Sequence, residues 1–132
     1  MKEERTLIIF KPDAIEKGVV EQIKQRIMDA GFKILKSKPF RFTKELAREH
    51  YWHVRNIPVF EEMLEFMTSK DVIVMVAEKE NAISDLRKLI GPTRNAPPGT
   101  IRGDYGSDGY RNLIHASDSP ENAAIEIKRF FG

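Results

Sequence analysis

Hydrophobic residues along the chain occur in short runs separated by segments of helical spacing. Residues 6–10 and 72–77 are apolar runs rich in β-branched side chains, a pattern typical of strands covered on both faces. A looser alternation over 32–42 favours another strand, and 113–115 is a brief strand-like stretch. The pattern therefore predicts four short strands spread along the chain.

Apolar positions three or four residues apart predict helices between and after these strands. The last helix has a strong start signal, with Ser119 as its cap and Pro120 as its first helical residue. This order of elements favours a single α+β domain over residues 1–132, with helices packed on a mostly antiparallel sheet. The predicted helices occupy residues 18–30, 43 to about 54, 58 to about 67, 82–90 and 119 to the C-terminus.

Residues 93–110 form a long stretch that is rich in glycine and proline and has no periodicity. A loop of that length in a compact domain is usually functional. Arg94 and Arg102 lie within it, Arg87 precedes it and Arg111 follows it. Guanidinium groups match phosphate oxygens in geometry and charge, so this segment fits a polyphosphate site. It fits an ordinary solvated loop about as well.

Composition narrows the possible functions. The 132 residues include no cysteine, which excludes disulfides and thiolate chemistry and suits the cytoplasm. The net charge is only +2, with basic and acidic residues interleaved, so no specific nucleic-acid binding is expected. No apolar run approaches the roughly 20 residues that span a membrane, and no signal-peptide core is seen. The glycine-rich phosphate loop and the protein-kinase motifs are absent, so individual side chains must bind any phosphate.

His115 is the histidine best placed for chemistry. It follows an apolar strand and precedes small polar residues, which would hold it firmly and leave it exposed, although a histidine there is more often structural. Glu126 falls at the edge of the apolar stripe of the last helix. A carboxylate that accepts from one imidazole nitrogen would leave the other free as a nucleophile, but an ordinary exposed glutamate is an equally good interpretation. His50 and His53 lack a third partner and favour surface or packing roles over a metal site.

Three segments, in matching order and spacing, resemble the nucleoside diphosphate kinases. Residues 112–119, with the sequence NLIHASDS, are similar to the active-site signature of that family. Residues 98–104, PGTIRGD, resemble the segment before it, and residues 5–13, RTLIIFKPD, resemble the opening strand. The likeness runs from about residue 4 to residue 131. It implies a ferredoxin-like fold, in which helices pack on a four-stranded antiparallel sheet.

The resemblance implies an enzyme that moves the γ-phosphoryl group from a nucleoside triphosphate to a nucleoside diphosphate by a ping-pong mechanism. His115 would carry the phosphoryl group, Glu126 would hold that histidine, and Ser117 would bond the glutamate. Lys11 would be catalytic, and with Asn112 it would reach the sugar hydroxyl. Mg²⁺ would arrive with the nucleotide, held mostly by phosphates and waters. The positions implied to contact the nucleotide are Lys11, Tyr51, Val59, Arg87, Thr93, Arg102 and Asn112.

The chain departs from the family pattern at the base pocket and in one loop. Val59 stands where an aromatic ring usually stacks on the nucleobase, and Gly109 stands where the opposite wall is usually valine. We therefore predict weaker stacking and a higher KM, unless Tyr110 or Trp52 supplies a ring. The resemblance implies a homo-oligomer. The loop between residues 91 and 99, which helps assemble subunits in that family, is shorter than usual, so a hexamer is favoured but a tetramer is possible. The alternative function is a non-catalytic interaction module with the same fold.

Overall fold

The computed structural model describes residues 3–106 and 109–132, and a four-stranded antiparallel sheet forms its centre. The strands are β1 (Glu3–Phe10), β2 (Lys33–Phe40), β3 (Val72–Glu80) and β4 (Ile114–Ala116), in the spatial order β2-β3-β1-β4. The helices are α1 (Pro12–Lys17), α2 (Val20–Asp29), α3 (Lys44–His50), α4 (Phe60–Thr68), α5 (Ala82–Ile90), α6 (Ile101–Tyr105) and α7 (Pro120–Phe131), with a 3-10 turn at Trp52–Val54. Among these described helices, none has the length and apolar character required to cross a membrane.

Strand β1 lies between β3 and β4, as its continuous apolar run predicts. It pairs with β3 along all eight of its residues, and three of them also pair with β4. Successive side chains point to opposite faces of a sheet, so Ile8 and Phe10 join one apolar cluster while Leu7 and Ile9 join the other. His115 lies directly opposite Ile9, so its side chain is on the face that Leu7 and Ile9 share.

Apolar side chains of the helices cover both faces of the sheet. Helices α1, α2, α5 and α6 contribute to the cluster of Ile8 and Phe10. Helices α3, α4 and α7 contribute to the cluster of Leu7 and Ile9, with Phe130 of α7 among its buried members. The predicted α+β fold, with helices packed on a four-stranded antiparallel sheet, is confirmed.

Several predicted helix boundaries are confirmed because their signals are local. Helix α5 covers the predicted residues 82–90 and ends at Gly91. The Thr43 hydroxyl accepts from the N–H of Leu46 at 3.1 Å and caps α3. The Ser119 hydroxyl accepts from the N–H of Asn122 at 3.1 Å and caps α7. Each cap satisfies an N–H that has no partner within the first turn of its helix.

Three other segments differ from the sequence prediction. The helix predicted over 18–30 starts only at Val20, and α1 precedes it as a separate helix that ends at Gly18, with a φ of 68°. The helix predicted over 43–54 ends at His50 and gives way to the 3-10 turn. The segment 93–110 holds α6, capped by Thr100. Helices of five and six residues, such as α6 and α1, are too short to show a helical period.

Candidate active site

Strand β4 carries His115 and is entered through an uncommon backbone conformation. Leu113, two residues earlier, has a φ of 74°, in the left-handed region that residues with a Cβ seldom adopt. Its N–H donates to the Asp13 carboxylate at 3.0 Å, and its carbonyl accepts from the N–H of Lys11 at 2.9 Å. The end of β1 and the start of α1 therefore fix the direction in which the chain enters β4.

Glu126 on α7 holds His115 in one orientation. Its carboxylate lies 3.3 Å from His115 Nε2 and accepts from the Ser117 hydroxyl at 2.6 Å. Ser117 is fully buried, and its hydroxyl oxygen accepts from the N–H of Leu7 at 3.1 Å. A carboxylate acceptor at Nε2 places the imidazole proton on that nitrogen and leaves the Nδ1 lone pair unprotonated.

Burial and mutual charge set the protonation of this pair. Burial lowers the pKa of His115, although its hydrogen bond to Glu126 acts in the opposite direction. Burial alone would raise the pKa of Glu126, but hydrogen bonding and charge from His115, together with the Ser117 hydroxyl, outweigh burial and lower that pKa. A neutral imidazole beside an ionised carboxylate is therefore the state at neutral pH.

Lys11, Asn112 and Tyr51 present polar atoms in the buried part of the same region. Lys11 is 5% exposed and donates from Nζ to Asn112 Oδ1 at 2.7 Å. Burial, reinforced by the charge of Arg102, lowers the pKa of Lys11 to about 7. The buried Tyr51 hydroxyl has no hydrogen-bond partner within residues 3–106 and 109–132, and burial raises its pKa. An anionic ligand would supply acceptors for these donors.

Arg102 of α6 braces the segment that leads to His115. Its guanidinium donates to the carbonyls of Asn112, Gly91 and Ile114 at 3.0, 3.0 and 2.6 Å. Burial, with the charge of Arg87, lowers its pKa to about 10, so the group stays charged at neutral pH. A guanidinium has five N–H donors, so these three bonds leave others for a ligand.

An open cleft of about 1410 Å³ joins these groups. Its lining includes every residue that the sequence implied for catalysis or nucleotide binding, and Arg87 and Thr93 are at its exposed rim. Ser117, implied as a supporting residue, is buried behind Glu126 instead. Basic side chains outnumber acidic ones in the lining. A cleft of this size and charge suits a ligand that carries several phosphates.

The three known proteins compared below carry one family name. The family model for nucleoside diphosphate kinase matches residues 4–132. The chain is 48% identical over 130 residues to the nucleoside diphosphate kinase of Acetivibrio thermocellus, covering 97% of this chain and 96% of that protein. The Aquifex aeolicus enzyme structure matches at 48% identity with a TM-score of 0.92, covering 99% and 96% of the two chains. A Halobacterium salinarum nucleoside diphosphate kinase in complex with CDP matches at 40% identity with a TM-score of 0.93, covering 98% and 88%.

The chain belongs to the nucleoside diphosphate kinase family. As a nucleoside diphosphate kinase it is a phosphotransferase, and the family, the fold and the activity predicted from the sequence are confirmed. These relatives give no support to the alternative of a non-catalytic module.

The residues at the expected base pocket of this nucleoside diphosphate kinase are Val59, Gly109 and Tyr110, which all line the cleft. The Val59 side chain is 36% exposed and offers no π-face for stacking. The Tyr110 ring packs against Phe66 at a centroid distance of 5.5 Å, which occupies part of its surface. Trp52, the other candidate ring, lies in a separate surface groove. Tyr110 is therefore the ring of the two that the structure brings to the cleft.

Two residues lie beside His115 in this family member without having been predicted there from the sequence. His50 has the packing role that was predicted, but its ring centroid lies 4.8 Å from that of His115, which was not predicted. Arg129 Nη1 lies 2.8 Å from His50 Nδ1. The available signal was that Arg129 follows Glu126 by three residues on α7, which places both side chains on one helix face. His53 is exposed in the cleft lining, apart from the buried His50.

Proposed function

We propose that His115 is the nucleophile of a ping-pong nucleoside diphosphate kinase that works through a phosphohistidine. The observation that carries this proposal is the distance of 3.3 Å between His115 Nε2 and Glu126, at the wall of a cleft rich in basic side chains. The pairing fixes the tautomer, so Nδ1 is the nucleophilic atom. Burial lowers the pKa of His115 and thereby favours the neutral, nucleophilic ring at neutral pH.

The reaction begins with in-line attack of His115 Nδ1 on the γ-phosphorus of a bound nucleoside triphosphate. As the N–P bond forms, the bond from phosphorus to the bridging oxygen breaks, and its electron pair leaves with the diphosphate. The proton on Nε2 stays in place, and the Glu126 carboxylate stabilises the positive charge that develops on the ring. A second nucleoside diphosphate enters the same cleft and takes the phosphoryl group by the reverse steps.

The other predicted residues bind the nucleotide around this centre. Lys11 and Tyr51 present donors in the buried part of the cleft, where charge stabilisation is strongest. Arg102 holds the segment before His115 and adds its own charge. The bonded pair of Lys11 and Asn112 would contact the sugar hydroxyl. Arg87 and Thr93 would contact phosphates from the rim, and Val59 would contact the base.

Mg²⁺ enters the proposal as an ion bound to the nucleotide. In the described part of the chain, the side-chain cluster that could hold a metal consists of His50, His115 and Glu126, and imidazoles do not suit Mg²⁺. Glu49 and Asp118 are exposed carboxylates in the cleft lining. These residues fit an ion that is held mainly by phosphates and waters, with a carboxylate contact through water. When bound, Mg²⁺ would offset the negative charge of the phosphates.

We also propose a cytoplasmic homo-oligomer, with a hexamer favoured over a tetramer. The absence of cysteine supports the cytoplasmic location. Large apolar side chains on the surface support assembly, since Trp52 and Ile125 are 51% and 54% exposed. Light scattering coupled to size-exclusion chromatography measures the subunit number. A monomeric mass at working concentrations would contradict the assembly.

The experiment that tests the mechanism is a phosphoenzyme trap. The protein is incubated with γ-labelled ATP and Mg²⁺, and free nucleotide is removed. We expect label on the protein that acid releases and alkali does not. Addition of a nucleoside diphosphate should then discharge the label as triphosphate. Absence of label from His115→Ala is the matched control.

Two results of the phosphoenzyme trap would contradict the proposed role of His115. A protein that takes up no label, or whose label persists in His115→Ala, does not use this histidine as its nucleophile. Glu126→Gln separates the role of the carboxylate, because it keeps the shape of the side chain and removes the negative charge. We expect slower labelling of Glu126→Gln with the label still on His115.

A further inference from the structure

Two imidazoles and one carboxylate meet beside the reactive histidine. Ligand atoms of His50, His115 and Glu126 all lie within 4.8 Å of one another. Two histidines and a glutamate, with water in the fourth position, are a ligand set that zinc sites use. The cluster thus has the composition of a transition-metal site at a place where His115 must stay free to react.

Arg129 is hydrogen-bonded to one of the two ring nitrogens through which His50 could ligate a metal. Its Nη1 lies 2.8 Å from His50 Nδ1. Arginine has N–H donors and no acceptor, so Nδ1 must carry the lone pair and the ring proton must be on Nε2. In this tautomer Nδ1 accepts a hydrogen bond from the guanidinium and Nε2 carries the ring proton. Neither nitrogen can then ligate a metal, since ligation needs a free lone pair.

The positions of both side chains are fixed by their surroundings. Arg129 lies three residues after Glu126 on α7, and its Nε is 3.8 Å from the carboxylate of Glu49 on α3. The Arg129 side chain is 18% exposed, so it is partly shielded from water. His50 is buried within a group of aromatic rings, those of Phe42, Tyr51, His115 and Phe130. Neither side chain can turn away without losing these contacts.

We propose that Arg129 is a positioning residue that holds His50 in the Nε2-protonated tautomer and thereby keeps transition-metal ions such as Zn²⁺ out of the cluster of His50, His115 and Glu126. This role goes beyond phosphoryl transfer, because it concerns an ion that the reaction does not use. A metal in the cluster would bind the nucleophile or the carboxylate that orients it. The unprotonated Nδ1 of His115 would then be lost or misdirected.

The first test compares Zn²⁺ binding by three proteins without nucleotide, measured by competition with a chromogenic chelator. Arg129→Met removes the donor and keeps a long side chain. It should bind Zn²⁺ more tightly than the wild type by on the order of tenfold or more, the scale on which hydrogen-bond partners of ligating histidines alter metal affinity. Adding His50→Gln to Arg129→Met should return the affinity to the wild-type level. Arg129→Lys keeps both the charge and the donors and should match the wild type.

The second test identifies the tautomer of His50 by NMR of ¹⁵N-labelled imidazoles. The proposal requires Nε2–H in the wild type and in Arg129→Lys, and loss of that fixed preference in Arg129→Met. Tighter Zn²⁺ binding by Arg129→Met with an unchanged tautomer would overturn the proposal, because the lost charge alone would explain it. A gain that survives His50→Gln would also overturn it.

These measurements are independent of the proposed phosphohistidine. They use no nucleotide, so a chain that failed the phosphoenzyme trap would still give a clear result here. If Arg129→Met does not fold, as judged by circular dichroism, the NMR spectra of the wild type and of Arg129→Lys still test the proposal through the tautomer of His50. An Nδ1-protonated His50 in either protein is incompatible with the role assigned to Arg129.

Discussion

Lys11 gives the active site a distinctive dependence on pH. Its pKa of about 7, set first by burial and then by the charge of Arg102, lies far below that of an exposed lysine. The cation is present below that pH and is lost as the pH rises through it. We therefore expect kcat/KM, which reports the free enzyme, to fall above about pH 7. Bound phosphates raise the pKa of Lys11, so kcat should fall only at higher pH.

His115 sets the acid side of the same profile. Burial lowers its pKa, so the neutral nucleophile is lost only as the pH falls below the ordinary range for histidine.

Lys11→Arg is the matched control for the alkaline side of the profile. The charge of arginine does not titrate in this range, so the remaining activity of the variant should lack the alkaline decline. Initial rates of the wild type and of Lys11→Arg, measured over a range of pH, give the two profiles of kcat/KM to compare. A kcat/KM that stays constant well above neutrality would contradict the state assigned to Lys11.

Ser117 links the pair of Glu126 and His115 to the sheet. Its buried hydroxyl donates to Glu126 and accepts from the N–H of Leu7. We expect Ser117→Ala to lower the free energy of unfolding by about 1–3 kcal/mol, because a buried N–H loses its acceptor. We also expect a lower kcat, because Glu126 loses a partner. Ser84→Ala, on the exposed surface of α5, is the control and should change neither quantity in denaturant unfolding or rate assays.

Substitution of Val59 tests the prediction that the nucleobase stacks weakly in this pocket. The aliphatic side chain of Val59 lines the cleft at a position that is expected to contact the nucleobase. We expect Val59→Phe to lower the KM for nucleotides, because stacking on a base is worth about 1–3 kcal/mol. Steady-state kinetics with several nucleotides measure the change, and Val59→Leu separates ring stacking from added apolar surface. An unchanged KM in Val59→Phe would contradict the prediction that the base stacks weakly in this pocket.

Helix α6 leaves no room for a side chain at Gly103. A Cβ at Gly103 would overlap the carbonyl of Pro97 and press on the Thr100 hydroxyl. Gly103→Ala should therefore shift α6 and move Arg102 away from the carbonyls that it braces. We expect a loss of about 1–3 kcal/mol in the free energy of unfolding together with a marked fall in kcat/KM.

The control for that substitution is Gly18→Ala. Gly18 has a φ of 68°, but an added Cβ would meet nothing within 4 Å, and the residue is not in the cleft lining. We expect about 1 kcal/mol of destabilisation from backbone strain alone, with normal kinetics. Equal kinetic losses in the two variants would show that stability, rather than the position of Arg102, limits activity.

Elements with long or sharply bounded patterns could be predicted from the sequence. Strand β3 has a continuous apolar run, helix α5 has apolar residues three or four positions apart, and Ser119 followed by Pro120 marks the start of α7. Helices α1 and α6 could not be predicted in this way, because their few residues contain no repeat of the apolar spacing. The Thr100 cap was the remaining signal for α6, and it lay within a segment dominated by glycine and proline.

Across the whole molecule basic and acidic residues nearly balance, with a net charge of only +2, but basic side chains outnumber acidic ones in the cleft lining. We expect the KM for nucleotides to rise with ionic strength, because salt screens attraction beyond a Debye length of about 10 Å at 0.1 M. Initial rates over a series of salt concentrations measure this, with kcat expected to change less. A KM that does not respond to salt would contradict electrostatic attraction by the basic residues of the lining, Lys11, Arg87, Lys88, Arg94, Arg102, Arg111 and Arg129.

The candidate site was predictable where one motif carried it and unpredictable where packing of distant helices created it. His115 and the residues around it lie in one segment with a recognisable pattern. The contact between His50 and Arg129 joins positions 79 residues apart. It depends on how α3 and α7 meet on the sheet, and neither the charge of Arg129 nor the spacing of His50 indicates that meeting in the sequence.

The bonds between β1 and the segment around β4 also determine when a newly made chain can become active. The N–H of Leu7 donates a hydrogen bond to the hydroxyl of Ser117, which lies 110 residues later in the chain. Lys11 Nζ donates to Asn112 Oδ1, which lies 101 residues later. Contacts between such distant positions form late in folding, because closing a long loop costs entropy before the contact returns any stability. During translation, a chain that has emerged only through α6 can pair β1, β2 and β3, but it has no His115 and no Glu126. Catalytic competence should therefore appear only after the ribosome has released α7, long after most of the sheet can form.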